Sequence, residues 1–361
     1  MSRYYNSLIG QLARIDQDNE YIIFYPSRAA IERGHPRQEN FHAICLGVES
    51  YNLSEQFRLC FQLWRKKLTV FHATNSWVVP LVPFCPLVVT VHDLIPKTHP
   101  ELISRKARLY ASFMVPYSAW SASRILTVSE YSRGVLLQYY PYAARKTLVT
   151  YNGSELDFDT ARDPEARTSA LRGYGISGEF ILFVGALMKH KNVLRLVEAY
   201  NALDRSLQDR YALVIVGRLV PGHDGFVQSV LDAVRANRRI ILVHYVEEAD
   251  LPYVYEAATA FVFPSLQEGF GIPLVEAMGA SLPVVAGNST VIPEICKDAA
   301  LYVDPYSVES LRDGIARILL EPSLREKLSD RARERTKRFS WVVSARKTLQ
   351  VYEELSAGKP G

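Results

Sequence analysis

Short apolar runs recur along this chain, separated by stretches that suit helices. Residues 21–25, 42–46, 68–72, 87–92, 125–128 and 147–151 are β-rich, and the aromatic-rich 109–120 lies among the helix-compatible intervals. This alternation predicts a largely parallel sheet. Residues 156–178 turn acidic, then Arg- and Gly-bearing, with no strong apolar period, and read as a linker. The alternation restarts at 180–184, 213–216, 240–245, 260–263, 283–286 and 301–303. In the helix predicted over 193–203, Val193, Leu196, Val197, Tyr200 and Leu203 form one stripe, and Asn192 suits the N-cap. From Pro322 the chain is charged and helical, ending in Phe339-Ser340-Trp341 and an amphipathic helix through Leu355. The expected architecture is α/β: two doubly wound domains with a cleft between them, over 1–155 and 179–338, with a linker at 156–178. The beginning departs from the usual order. Tyr5, Leu8, Ile9, Leu12 and Ile15 fall on one helical face before any strand pattern, so the first domain is expected to lack its opening strand.

Length and composition bound this picture without sharpening it. A chain of 361 residues accommodates two domains of ordinary size. Its formal net charge of +4 makes no electrostatic case for nucleic acid. Two basic clusters, Arg65-Lys66-Lys67 and Arg105-Lys106-Ala107-Arg108, read as solvated faces, with an anionic membrane surface or acidic ligand as the alternative. The cysteines Cys45, Cys60, Cys85 and Cys296 have no metal-like spacing and read as free thiols in a reducing cytoplasm. No apolar run approaches the roughly 18 residues of a membrane span, and no signal-peptide pattern is expected.

Candidate chemistry concentrates in PSLQEGFGIPLVE (264–276). The apolar run 260–263 feeds into it as the end of a buried strand. Pro273 suits the first position of a helix, which puts Glu268 on the loop and Glu276 in the first helical turn. Ligands of open α/β sheets bind above strand ends. Either carboxylate alone also fits a local role, Glu276 with the helix dipole and Glu268 in solvent. Gly185 ends another strand, and Lys189, His190 and Lys191 fill the turn after it. A glycine, cations and a helix start together make an anion site. VIVGR repeats the arrangement with Gly217 and Arg218. No Walker loop or GxGxxG pattern occurs. VTVHD places His92 and Asp93 at another strand end, where substrate contact and simple turn formation are both open. In TVSEYSR, Ser129 fits an N-cap, and Gly153 in YNGSE suits a hinge. The set fits a ligand with a phosphate-like anion and several hydroxyls: a carboxylate accepts two hydroxyls, and cations with N–H groups stabilise a diphosphate leaving group. No DxD-like cluster is placed to hold a divalent cation, so neither metal nor cofactor is expected.

These residues resemble a known family. EGFGIPLVEAMGASLPVVAGNSTVIPEI, with its E-x7-E spacing, resembles the donor site of family 4 retaining glycosyltransferases with the GT-B fold. VTVHDLIP, ILTVSEYSR, LVTYNGSE, FVGALMKHKN, AALYVDP and FSWVVSARKTLQVYEEL also look like that family, in its usual order. The resemblance implies that Glu276 binds the ribose hydroxyls of a nucleotide sugar and Glu268 the donor sugar beside the reacting carbon. It implies backbone contacts from Phe270, Gly271, Ile272, Pro273 and Leu274, with Lys191 on the diphosphate and His92 approaching the sugar from the first domain. Many members carry an arginine directly after the glycine matching Gly185. Here it is Ala186, so that part of the phosphate clamp is either absent or supplied by Lys189 or Arg218. The terminal segment, 339–361, is implied to cross back onto the first domain. The implied reaction is metal-independent transfer with retention, the leaving phosphate taking the acceptor's proton. HDLIP and EGFGIPLVEAMG look most like bacterial mannosyltransferases of surface-polysaccharide assembly. That implies GDP-mannose, a glycan or lipid-linked saccharide acceptor, and a cytoplasmic enzyme with peripheral contact at the inner membrane surface. The competing reading is a nucleotide-sugar-binding scaffold whose activity was lost with the first strand. A glycoside hydrolase would also use paired carboxylates, but the phosphate-suited loops argue against it.

Overall fold

A computed structural model describes residues 2–47, 53–158, 160, 162–220 and 224–358. Met1, residues 159 and 161 of the expected linker, and 359–361 of the terminal segment lie outside the described residues. The chain divides into two units, Met1–Gly153 with Ser340–Gly361, and Ser154–Phe339.

The first unit opens on α1 (Ser2–Ile15), followed by β1 (Tyr21–Tyr25), α2 (Arg28–Gly34), β2 (Phe41–Cys45) and α3 (Leu53–Lys66). Then come β3 (Phe71–Ala73), β4 (Leu87–Val91), α4 (Ile95–Thr98), α5 (Arg105–Ser121), β5 (Arg124–Thr127), α6 (Glu130–Tyr139) and β6 (Thr147–Val149). The third strand begins three residues later than the apolar run at 68 predicts, because Leu68 packs into a cluster with Leu59 and Leu63 instead. All pairings are parallel, but they form two sheets, β1-β2 and β3-β4-β5-β6. Between them lies a cavity of about 380 Å³, lined along β1 by Tyr21, Ile22, Ile23 and Phe24 and along β3 by Phe71, His72 and Ala73. The described strands of this unit therefore form a divided sheet rather than one continuous sheet.

Alternation along these strands assigns the faces. Leu87, Val89 and Val91 of β4 join the cluster containing Ala111, Met114 and Val115 of α5. Val88 turns the other way, to Leu126 and Val351. Val351 belongs to the last helix, α16 (Trp341–Ser356), which packs on α1. Gly153 is required there: a Cβ would lie 2.4 Å from the Trp341 nitrogen.

The second unit contains α7 (Pro164–Gly173), β7 (Glu179–Ala186), α8 (Val193–Asn201), α9 (Arg205–Arg210), β8 (Tyr211–Arg218), α10 (Asp224–Arg235) and β9 (Ile240–Val243). It continues through α11 (Leu251–Ala257), β10 (Ala260–Phe263), α12 (Ile272–Gly279), β11 (Val284–Gly287), α13 (Ile292–Cys296), β12 (Ala300–Val303), α14 (Val308–Leu320) and α15 (Pro322–Thr336). Helix α7 corrects the linker reading of 156–178. It lacks an apolar period because none of its residues is buried, and it starts because Asp163 accepts from the Glu165 N–H with Pro164 in the first turn. The six strands are parallel in the order β12-β11-β10-β7-β8-β9. Between their ends the runs are apolar because helices cover both faces. The order reverses between β7 and β10, the switch point at which such sheets bind ligands beyond their carboxyl ends.

Candidate functional site

The loops leaving β7 and β10 meet at that switch point. The Leu266 N–H donates to the His190 carbonyl at 2.8 Å, tying one loop to the other. Asn192 binds them more firmly. Its backbone is left-handed (φ 61°), and its amide donates to the Pro264 and Pro305 carbonyls at 3.1 and 2.6 Å. Asn192 holds the N-cap position of α8 but makes no side-chain cap bond, because its Oδ1 accepts from Arg195 Nη1 at 2.7 Å. Ser289 Oγ donates to the Ser265 carbonyl at 2.7 Å, and the Glu268 N–H donates to Thr290 Oγ1 at 3.3 Å. Thr290 also has a positive φ, 50°. Two non-glycine residues in a costly conformation grip the segment that carries Glu268. Such strain persists only where the surroundings enforce it.

Within this frame Lys191 Nζ donates to Glu268 Oε1 at 2.5 Å, with side chains only 15% and 9% exposed. The ammonium also stands 5.6 Å from the centre of the Phe263 ring. Gly185 lies beside it: a Cβ there would approach Lys191 Cδ at 3.9 Å and Phe183 Cζ at 3.0 Å. Lys189 is exposed in the same turn, and Arg218 is exposed at the end of β8, in register with Ala186. Cations from two adjacent strand ends thus occupy one end of the sheet, around one buried carboxylate.

Helix α12 begins one residue earlier than Pro273 predicts. Gly271, at φ 89°, is its N-cap, Ile272 its first residue and Pro273 its second. Glu276 therefore sits in the second turn, not the first. It is buried, and Tyr255 Oη of α11 donates to its Oε2 at 2.7 Å. The backbone role implied for 270–274 also narrows. Pro273 has no N–H, and that of Leu274 is turned to the Gly271 carbonyl at 3.0 Å. Phe270 packs edge-on against Phe339, which fixes the loop. The spacing of the sequence held no signal for the tethers Asn192, Thr290 and Tyr255, which become neighbours of the loop only through the sheet order. The same applies to Ser265 and Gln267, whose buried Oγ and Oε1 have no hydrogen-bond partner among the described residues.

His92 belongs to the first unit, at the carboxyl end of β4. Its Nε2 lies 2.9 Å from the Thr74 carbonyl, and its ring meets Tyr4 edge-on at 4.6 Å. A carbonyl only accepts, so Nε2 carries the proton and Nδ1 remains an acceptor. Burial, opposed by the Thr74 carbonyl, pulls this imidazole down to about 4, so it is neutral near pH 7. Asp93 accepts from the Ile95 N–H at 3.0 Å, a turn-forming role. Ser129 caps α6 by accepting from Ser132 N.

Residues 1–158 match the family model for Glycosyltransferase Family 4, and residues 175–335 that for Glycosyl transferases group 1. Over 85% of this chain and 80% of the relative, the sequence is 32% identical to O-antigen chain mannosyltransferase B of Escherichia coli. It is 29% identical to O-antigen chain mannosyltransferase RfbU of Salmonella typhimurium, over 75% of this chain and 69% of that one. The solved structure of WaaG, a glycosyltransferase involved in lipopolysaccharide biosynthesis, superposes with a TM-score of 0.76 at 18% identity, covering 97% of this chain and 95% of that one. With its two Rossmann-like units and its parallel-strand-end cluster of cations and carboxylates, the chain belongs to glycosyltransferase family 4, and it is a glycosyltransferase of the GT-B fold.

Proposed function

We propose that this enzyme transfers mannose from GDP-mannose to a hydroxyl of a glycan or lipid-linked saccharide in surface-polysaccharide assembly, with retention and without metal. The names of the two mannosyltransferase relatives support the sugar and the pathway class. The observation that carries the chemistry is the Lys191–Glu268 pair at the sheet's switch point. A nearly buried ion pair is stable only while each charge has its partner. A diphosphate takes over Lys191, together with Lys189 and Arg218, and this releases Glu268 to accept hydroxyl protons of the sugar. Glu276 takes the ribose hydroxyls. His92, neutral, offers Nδ1 as an acceptor on the acceptor-bearing unit.

In the transfer, the acceptor oxygen bonds to C1 of the sugar on the face the diphosphate leaves. The bond from C1 to the phosphate oxygen breaks, and its electron pair goes to the phosphate. That oxygen takes the acceptor's proton, so no protein base is consumed. Lysine and arginine placed where negative charge develops lower the barrier without reorganising. The reaction is placed at the cytoplasmic face of the membrane, where nucleotide sugars and lipid-linked acceptors meet.

A thermal-shift screen across GDP-, UDP-, ADP- and dTDP-sugars tests the donor, because a ligand bound only by the folded state raises its stability by mass action. GDP-mannose is expected to give the largest shift, and Glu276→Gln to reduce it. A larger shift with a UDP-sugar would overturn the donor assignment. Donor binding with no nucleotide release in the presence of sugar-bearing acceptors would favour a scaffold.

A further inference from the structure

Glu276 is held by a side chain that takes no part in the transfer described above. Tyr255 of α11 is fully buried, and its hydroxyl donates to Glu276 Oε2 at 2.7 Å. A carboxylate has no donor of its own, so a bond to one oxygen fixes the plane in which both oxygens accept. Bonds to an ionised acceptor are short and directional.

Tyr255 is in turn held by two aromatic rings. Its own ring lies 5.8 Å from that of Phe261 in β10, tilted by 48°, and 6.3 Å from that of Phe158, edge-on at 89°. Phe158 also lies against the end of α12, one turn beyond Glu276. A Cβ on Gly279 would stand 2.9 Å from Phe158 Cδ2 and 3.1 Å from its Cε2, so glycine makes the room for this ring. Arg162 closes the arrangement. Its guanidinium stands over the rings of Phe158 and Tyr253, at 5.8 and 6.0 Å, and pairs with Glu256, the neighbour of Tyr255.

Packing alone gives no reason for a hydroxyl and a carboxylate at this place. Burying both costs desolvation that an apolar pair of similar volume avoids. Such a pair is of use where the direction of an acceptor matters, because a binding site must hold its groups to within about 0.5 Å by locking their rotamers from outside. The segment 158–162 reaches the carboxylate through a single ring, that of Tyr255.

We propose that Tyr255 is a positioning residue for the ribose contact of Glu276, and that Phe158, clamped by Arg162, sets where Tyr255 stands. This role rests on the ribose contact proposed above and names what enforces it. Calorimetry on the full chain compares GDP with 2′-deoxy-GDP, and UDP with 2′-deoxy-UDP beside them, so that the choice of base does not decide the result. The wild-type chain is expected to prefer the ribonucleotide, because the deoxy analogue leaves a buried acceptor without its hydroxyl. Tyr255→Phe keeps the ring and removes only the donor. It is expected to weaken the ribonucleotide about tenfold and the deoxy analogue far less, so that the preference falls at least about fivefold. Phe158→Ala is expected to lower the same ratio, and Phe158→Leu to restore part of it. A loss of packing alone weakens both nucleotides equally and leaves the ratio unchanged. Adding Tyr255→Phe to Glu276→Gln should cost nothing further, because the two residues act as one unit. If Phe158→Ala melts early, the nearly isosteric Tyr255→Phe carries the test. Where Glu276→Gln lowers the ratio, a wild-type ratio in either single variant, or additive losses in the double variant, would overturn the positioning role and leave the ribose contact standing. A ratio that Glu276→Gln does not change would sink the ribose contact, and the positioning role with it.

Discussion

The two units solve the same α/β problem differently. The second has one six-stranded sheet, and its loops are tied together by Asn192, Ser289 and Thr290 around a charged pair. The first has a divided sheet with a cavity, and the polar groups buried around Thr90 are neutral. There His72 Nε2 lies 2.8 Å from Thr90 Oγ1 and its Nδ1 2.5 Å from Tyr352 Oη, while Tyr4 Oη reaches the same threonine at 3.0 Å. Burial pulls His72 down to about 3, with His92 adding to the effect, and pushes Tyr4 up to about 12. The groups around Thr90 are uncharged, and they join α1 and α16 to the sheet.

The largest test of this contrast is Lys191→Ala. Removing one pre-placed donor to a leaving group costs about 10²- to 10³-fold in turnover. A comparable fall in initial rate of nucleotide release is expected at temperatures where the variant stays folded, with the melting temperature lowered because Glu268 loses its partner. Near-wild-type turnover would leave the second unit's ion pair with a purely structural role.

Gly153→Ala addresses the first unit's attachment to its own last helix. Its Cβ would meet backbone at 2.4 and 2.9 Å, at Trp341 and Ser340, and backbone cannot yield as a flexible side chain does. A loss of about 3 kcal/mol in denaturant unfolding is expected. A silent substitution would show that the α16 junction gives way easily.

Acid should act next, and on the first unit. Because the folded-state pKa values of His72 and His92, about 3 and about 4, lie below the ordinary 6.5, the unfolded chain binds more protons between those limits. Stability is therefore full above about pH 6.5 and falls as pH drops toward 4, by about 2 kcal/mol for each histidine at pH 5. Unfolding followed across this range should show the dependence, and His72→Gln should flatten it. An unchanged slope in that variant would remove His72 from the account.

The smallest effect is expected at Gly134 in α6, where a Cβ meets nothing within 4 Å and φ is not positive. Gly134→Ala should raise stability by about 0.5–1 kcal/mol through helix propensity alone. Chemical denaturation can resolve a change of that size. A loss instead would show that the first unit's outer helices are held more tightly than their open surroundings imply.

Much of this molecule was readable before folding. The strand at 260–263 falls where its apolar run is, because a parallel strand buried on both faces has no polar alternation to blur it. Lys191 and Glu268 were legible as a cation after one strand and a carboxylate after another. Their direct pairing was not, because 77 residues separate them and only the adjacency of β7 and β10 joins them. Helix α7 was missed because it buries nothing, so hydrophobic periodicity could not report it. Asn192 takes the N-cap position that its place before the helix predicts, but its side-chain partners were not legible, because Pro264 and Pro305 lie far along the chain.

The sequence by itself determined the alternation of strands and helices, the chemistry available at the strand ends and the family, since each is encoded locally by periodicity and residue type. Tertiary structure alone decided which strand ends adjoin, how deep Glu276 lies, what restrains the 264–271 loop, and that the first sheet divides around a cavity. Those properties depend on contacts between residues distant in sequence. They are set when the strands choose their neighbours, a choice no local pattern contains.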